Sequence, residues 1–323
     1  MSTCDGPTPV PDLPQAAPRP DLPQAAPRPD LPQAAPRPDL PQAAPRPLWL
    51  DAWRRFRRNK MAMAGLIFLV VLIAAAVLAP WITRYGPTER IEGAYRQPPS
   101  WDHLFGTDKI GRDVFSRIVY GARVSLRIGL AATVVSVGIG LLLGAVAGFF
   151  GGLADTLIMR LTDVFLAIPY IVLAIAIAAV AGRSENSVIL VLGLTGWLGL
   201  ARIVRASFLS LKQLEYVEAA HALGYSRSRI MFRHILPNAV QPVIVYGTVL
   251  IGGVILSEAA LSYLGVGPQE PTPAWGLMVS QGKGDLASAF HLLLFPGGAI
   301  CLTVLAFVLV GDGLRDALDP KLT

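Results

Sequence analysis

Runs of predominantly apolar residues, each about 20 long, recur six times between residues 61 and 311, with polar stretches between them. At 1.5 Å per residue, a helical run of that length crosses a hydrocarbon core of about 30 Å. The pattern predicts spans near 61–82, 125–149, 157–181, 187–207, 239–263 and 288–311, with ends set to within about four residues. The second and third are the most sharply bounded. The fourth and fifth carry glycines and a proline, which membrane helices tolerate when neighbouring helices cover the backbone.

The polar stretch at 208–238 has its own periodicity. Leu214, Val217, Ala220 and Leu223 recur at three-residue intervals, with Tyr216 and Ala219 widening the stripe, which predicts a short helix with one apolar face. Gly224 stands where that helix needs a left-handed terminating residue. Ser226 is placed to cap a second helix, and Pro237 marks where that helix ends or kinks. On pattern alone the hairpin is either a plain connector or a docking element.

Charge orients this pattern. Arg54, Arg55, Arg57, Arg58 and Lys60 immediately precede the first span, so the N-terminus is expected on the cytoplasmic side, and six crossings return the C-terminus there. Lys212, Arg227, Arg229 and Arg233 place the 208–238 loop on the same side. The long loop near 83–124 also holds Arg and Lys, beside Glu89, Glu92, Asp102, Asp108 and Asp113, and long loops translocate despite their charge.

Composition agrees with a polytopic membrane protein: 53% of residues are hydrophobic and only 15% charged, with a mean hydropathy of +0.51. The net charge of +6 reports topology, and no aromatic-interleaved basic stripe points to nucleic acid. Cys4 and Cys301 lie too far apart to suggest a disulfide framework, and His103, His221, His234 and His291 are scattered without metal-ligand spacing. No catalytic residues, bound metal or cleavable signal peptide are expected. No G-x-x-x-x-G-K-[S/T] sequence occurs, so ATP-driven work would need a partner.

The first 47 residues differ from the rest. PDLPQAAPR occurs four times without change over residues 11–46, and such a proline-rich segment is expected to be disordered and extended. Its Arg-Pro-Asp-Leu-Pro segments could serve aromatic-lined grooves, but a solvated tail is the simpler expectation.

Inside the spans, Gly140, Gly144 and Gly148 share one helix face and predict a packing seam, either between subunits or within the chain. Asp163 is expected to pair with Arg160. Glu258 falls near the outer end of the fifth span, where it either serves transport or is simply reached by water.

Several passages resemble a known family. Glu218, Ala219, Ala220, Gly224, Leu236 and Pro237 match the "EAA loop" of ABC importer permeases, with His234 where that pattern has Ile. HLFGTDKIGRDVFSRIVYGARVSLRIG (103–129) is similar to the entry to the second span in the C-type permease of dipeptide, oligopeptide and nickel importers. Read locally it is an amphipathic interfacial helix, with Val114, Ile118 and Gly121 on one face, Arg112, Asp113 and Arg117 turned away, and turns at Gly106 and Gly111 before it. PTPAWG (271–276) and the ending GDGLRDALDPKLT resemble the same branch. In that ending Asp312 and Arg315 are within pairing distance, and Pro320 closes the tail. The likeness covers roughly residues 50–323.

The resemblance implies an all-α, six-span, type I ABC importer permease fold over residues 48–323, in a bacterial inner membrane. It implies a coupling loop at about 208–238 that docks on an ATPase. The implied partners are a second homologous permease, two ATPase subunits that bind ATP and Mg, an extracytoplasmic binding protein, a dipeptide or short oligopeptide cargo, and the lipid bilayer. The alternatives are a self-sufficient secondary carrier or channel, or a permease for nickel or another small solute.

Overall fold

The computed structural model describes residues 48–318. The repeat tail and its boundary at residue 47, and the ending around Pro320, lie outside the described residues. Among those described, every regular element is a helix, apart from an isolated antiparallel bridge between Thr107 and Asp113. In chain order the helices are α1 (Leu48–Arg58), α2 (Lys60–Val77), α3 (Ala79–Ile82), α4 (Val114–Phe150), α5 (Gly152–Leu166), α6 (Tyr170–Ala181) and α7 (Glu185–Leu211). They continue with α8 (Glu215–Ala222), α9 (Arg227–Arg229), a widened π turn (Ile230–Ile235), α10 (Leu236–Tyr263), α11 (Trp275–Gly282) and α12 (His291–Leu318). Starts are set by side-chain caps: Asn59 accepts from the Met61 and Ala62 amides, Asp113 from Ser116, and Ser184 from Ser187.

Five helical stretches are long and apolar enough to cross a membrane: α2, α4, α7, the run Arg227–Tyr263, and α12. The expected third span is not one straight helix. It is the pair α5 and α6, bent by 91° at Ala167–Pro169. Proline has no amide to donate and steers the residue before it out of the helical region, so the helix stops ahead of Pro169. Contacts nevertheless show where the pair begins and ends. At one end of the bundle Lys212 Nζ donates to the Phe149 carbonyl (2.8 Å), Arg205 Nη2 to Asp155 (2.6 Å) and Gln241 to the Leu318 carbonyl (3.1 Å). At the other, Arg123 donates to the Val77 carbonyl (2.9 Å) and Arg127 to Glu185 (3.5 Å). The pair starts beside Phe149 and finishes beside Glu185, at opposite ends of the bundle, as a broken span would, and counted as one it brings the candidate spans to six.

The centre of the bundle is the α4–α7 contact. Here Gly140, Gly144 and Gly148 form a seam within the chain. A Cβ on them would stand 3.0 Å from Leu200 Cβ, 2.6 Å from the Ala201 carbonyl and 2.6 Å from Phe208 Cβ. Small residues let backbones approach where no hydrophobic effect drives helices together. Leu192, Leu200, Val204 and Phe208 of α7 are fully buried. Glu258 is also sealed off, so the alternative in which water simply reaches it does not hold. It accepts from the Ser262 hydroxyl (2.7 Å) and more distantly from Ser125 (3.5 Å). Asp163 pairs with Arg202 across the α5–α7 contact (2.6 Å) rather than with Arg160. Asp312 and Arg315 do not pair with one another among the described residues.

The 83–113 loop corrects a further expectation. Helix α4 begins at Val114 and runs unbroken into the second span, so among the described residues this passage forms no separate interfacial helix. Arg112, Asp113 and Arg117 are buried rather than turned outward. Gly106 and Gly111 do make the turns, at φ 76° and 83°. Asp108 accepts from the Arg112 guanidinium and from Arg117, each at 2.7 Å, while Arg112 also reaches Glu270 (3.0 Å), held in turn by Gln281 (2.6 Å). Two guanidinia and two carboxylates thus clamp the loop to the segment before α11. Trp275 sits beneath them, donating its indole N–H to the Ile118 carbonyl (2.9 Å). Burial pushes the Asp108 carboxyl up. The Arg112 amide and guanidinium, with Arg117, outweigh it and hold the group below the ordinary carboxylate range.

Alanine normally favours a helix over glycine by about 1 kcal/mol, yet Gly144→Ala should destabilise the purified protein by about 1–3 kcal/mol, the cost of overpacking. Gly138→Ala on the same helix, where a Cβ meets nothing within 4 Å, should be neutral or stabilising. Thermal midpoints of the two variants compare them directly. The Asp108 carboxyl stabilises the fold fully above about pH 4, its unfolded range, and the contribution is lost as pH falls through the lower folded value. Asp108→Asn should therefore lower the thermal midpoint at pH 7, by removing one partner of a buried ionic cluster at about 3–5 kcal/mol. Between pH 5 and pH 3 the variant should lose less further stability than wild type, and equal acid sensitivity would remove Asp108 as the responsible group.

Candidate functional site

The 208–238 stretch folds as a helix, a reversal and a second helix. Helix α7 ends at Leu211, and Lys212 turns back to cap the end of α4 at the Phe149 carbonyl. Helix α8 then carries Glu218, Ala219 and Ala220. It is closed by Gly224 at φ 74°, with the Tyr225 amide bonded to the Ala220 carbonyl (3.2 Å) and the Gly224 amide to His221 (3.0 Å). These two bonds are the paired closure that a left-handed glycine permits at a helix end.

Only part of the expected apolar stripe is buried. Val217 and Ala220 are covered, in one core with Phe208, Ile230 and Ile235, whereas Leu214 and Leu223 are exposed. Three-residue steps turn 300° around a helix, so four such positions drift off any single face. The matched residues therefore divide into two groups. Ala220 packs inward, Leu236 packs against the same core, and Glu218, Ala219, Gly224 and Pro237 face outward. With Ala222 and Leu223 they give α8 a free face of small, acidic and apolar groups. A Cβ on Gly224 would meet nothing within 4 Å.

Pro237 does not end the second helix. The turn before it widens instead, with the Leu236 amide reaching five residues back to the Met231 carbonyl. That spacing accommodates a residue that cannot donate to Arg233 and whose ring would crowd that carbonyl. The helix then continues from Arg227 to Tyr263. Ser226 occupies the capping position without a capping bond, its hydroxyl lying 3.4 Å from that of Ser228.

Two residues outside the matched motif tie α8 to this widened turn. Asn238 Nδ2 donates to the Tyr216 hydroxyl (3.1 Å) and to the His234 carbonyl (2.9 Å), and the Tyr216 hydroxyl donates to the same carbonyl (3.3 Å). Tyr225 lies between the Arg229 guanidinium (4.5 Å from its ring) and the His234 ring (5.7 Å). The sequence gives weak notice of this knot: Asn238 directly follows Leu-Pro, but its partner Tyr216 is 22 residues away.

Residues 140–323 match the family described as binding-protein-dependent transport system inner membrane component, and residues 47–99 match the N-terminal TM domain of oligopeptide transport permease C. The chain is 46% identical over 276 residues to the oligopeptide transport system permease protein OppC of Bacillus subtilis, covering 85% of this chain and 90% of that one. It is 46% identical over 275 residues to the glutathione transport system permease protein GsiD of Escherichia coli, covering 85% and 91%. The dipeptide transport system permease protein DppC of Alkalihalophilus pseudofirmus is 44% identical over 274 residues, covering 85% and 90%.

Proposed function

The chain belongs to the family of inner-membrane components of binding-protein-dependent transport systems, and we propose that it is one permease half of an ATP-driven importer for dipeptides or short oligopeptides. The observation that carries this reading is the free face of α8, presented by Gly224 and anchored from beneath by Val217 and Ala220. A helix so exposed on one side and so tied on the other can take a push from a docked ATPase. It passes that push to α10 through Tyr216 and Asn238, and to α7 through Phe208. Glu218 and Ala219 lie at the docking surface, while Ala220 serves the internal contact.

The partners in this reading are a second related permease, two ATPase subunits holding ATP and Mg, and an extracytoplasmic binding protein that delivers the peptide. Closure of the ATPases drives α8, and the spans alternate between outward and inward access. This chain supplies half of the pathway and binds no ATP of its own. The basic residues Arg54, Arg55, Arg57 and Arg58 before α2 and Lys60 at its start, with Lys212, Arg227, Arg229 and Arg233 around α8 and α9, support a cytoplasmic position for that end of the bundle and for the N- and C-termini. The names of the relatives support a peptide cargo over nickel, and a family whose members work with other subunits argues against a self-sufficient carrier or channel.

In cells, a cysteine at Ser100 should react with an impermeant thiol reagent from outside, and one at Ser228 only after permeabilisation. Labelling of Ser228→Cys in intact spheroplasts would reverse the orientation.

Gly224→Val should insert and join its partner permease, because the chain itself has room for the side chain. It should cost about 1–2 kcal/mol in left-handed strain and place bulk at the docking surface. In the assembled transporter, peptide uptake should fall about tenfold, as a loss of about 1.4 kcal/mol in coupling would give, and ATP hydrolysis should stop responding to the loaded binding protein. Glu218→Lys should behave similarly and Glu218→Gln more mildly. Normal transport by Gly224→Val would reduce the loop to a connector.

A further inference from the structure

Two cavities lie along α10, and they meet at one side chain. The first, about 570 Å³, opens at the α8 end of the bundle and is bordered by Gln241, Asp312 and Arg315. The second, about 320 Å³, runs toward the other end, bordered by Ile168, Tyr170, Thr195 and Ser257. Among the described residues, Tyr246 lines both. From Tyr246 to Ser257 the second cavity follows α10 for about 16 Å.

Three observations mark this as a route through the membrane. The second cavity is lined by the unwound backbone between α5 and α6, represented by Ile168. Irregular backbone at membrane depth is tolerated where it is buried in protein or lines a water-filled space, and broken helices mark the solute sites of transporters. Next, α7 has a glycine opposite the tyrosine: a Cβ on Gly199 would stand 2.8 Å from the Tyr246 hydroxyl, so its absence is what seats the ring. Finally, among the described residues that hydroxyl has no hydrogen-bond partner, although the ring is half-buried. The neighbouring Thr195 and Ser257 hydroxyls are already bonded to the Val191 and Gly253 carbonyls (2.8 Å each). A tyrosine held in place by fit alone, with a free polar tip, is free to swing.

Building on the importer reading, we propose that Tyr246 is the gate in this chain's half of the pathway, closed when the hydroxyl end of its ring rests against Gly199 between the two cavities. The lining of the second cavity carries no ionisable acid or base other than tyrosine hydroxyls. It therefore offers a passing peptide hydrogen bonds and apolar walls but no charge to select a side chain. The solute it suits is a short peptide of no net charge, recognised by its backbone and admitted by its cross-section. Opening the gate joins the two cavities into one path.

The test uses the assembled transporter in proteoliposomes, with this chain, its permease partner, the ATPases and the binding protein. Leak of trapped sucrose without ATP reports the gate whatever the cargo, and ATP-dependent uptake of a labelled dipeptide by wild type reports the importer reading separately. Tyr246→Ala should raise sucrose leak about tenfold, equal to about 1.4 kcal/mol on the barrier, and Tyr246→Phe, which keeps the ring, should leave it near wild type. Gly199→Ala should also leak, by displacing the ring, and the double variant Gly199→Ala/Tyr246→Ala should leak no more than Tyr246→Ala alone. Dipeptide should slow the thiol labelling of Tyr246→Cys. Wild-type leak in both Tyr246→Ala and Gly199→Ala, or labelling of Tyr246→Cys at one rate with and without peptide, would overturn the gate. Absence of dipeptide uptake by wild type, with the leak pattern intact, would overturn the cargo and leave the gate standing.

Discussion

In a hydrocarbon core, lipid tails are as apolar as leucine, so helices gain nothing by hiding greasy surface from lipid and must hold together by close contact. In this chain that contact is made between α4 and α7, where Gly140, Gly144 and Gly148 bring one backbone against the other. The rest of the bundle takes its bearings from this line. Because α7 cannot slide on α4, Lys212 meets the end of α4, Arg205 meets Asp155 and Arg202 meets Asp163. Those pairs in turn fix where the chain passes from α7 into α8.

The two ends of the bundle are finished differently. One carries a locked cluster in which Asp108, Arg112, Arg117 and Glu270 cancel each other's charge and bind a loop to the segment before α11. The other carries α8, which is covered only on its inner side and leaves Glu218, Ala219 and Leu223 uncovered. A stiff end and an available end on the same helices suit a protein that must be moved from one side without coming apart on the other.

How much of this was readable beforehand depends on how local each cause is. The spans were legible because length and apolarity decide them regardless of partners. Gly224 was legible because a left-handed helix terminus is a property of a few consecutive residues. The break at Pro169 was not, since a proline within an apolar stretch is equally compatible with a tolerated kink. The buried cluster was missed because Arg112 and Arg117 were weighed against their own helix, whereas Glu270 stands 158 residues beyond Arg112. Of the two readings of Glu258, the one in which water reaches it fails for the same reason: its position along the span suggested nearby water, but Ser125 and Ser262 close over it.

The contact between Ser125 and Glu258 sets α4 and the helix from Arg227 to Tyr263 at a common level. Both are 37 residues long, yet they are staggered. From that level α4 reaches about 9 Å further at the clamped end, and its neighbour about 9 Å further at the other. At about 55 Å, each exceeds the roughly 40–45 Å of a bilayer with its headgroups. The stagger leaves a step at the α8 end of the bundle, and α8 fills it from one side, its Val217 and Ala220 in one core with Phe149 of α4 and Ile230 and Ile235 of its neighbour.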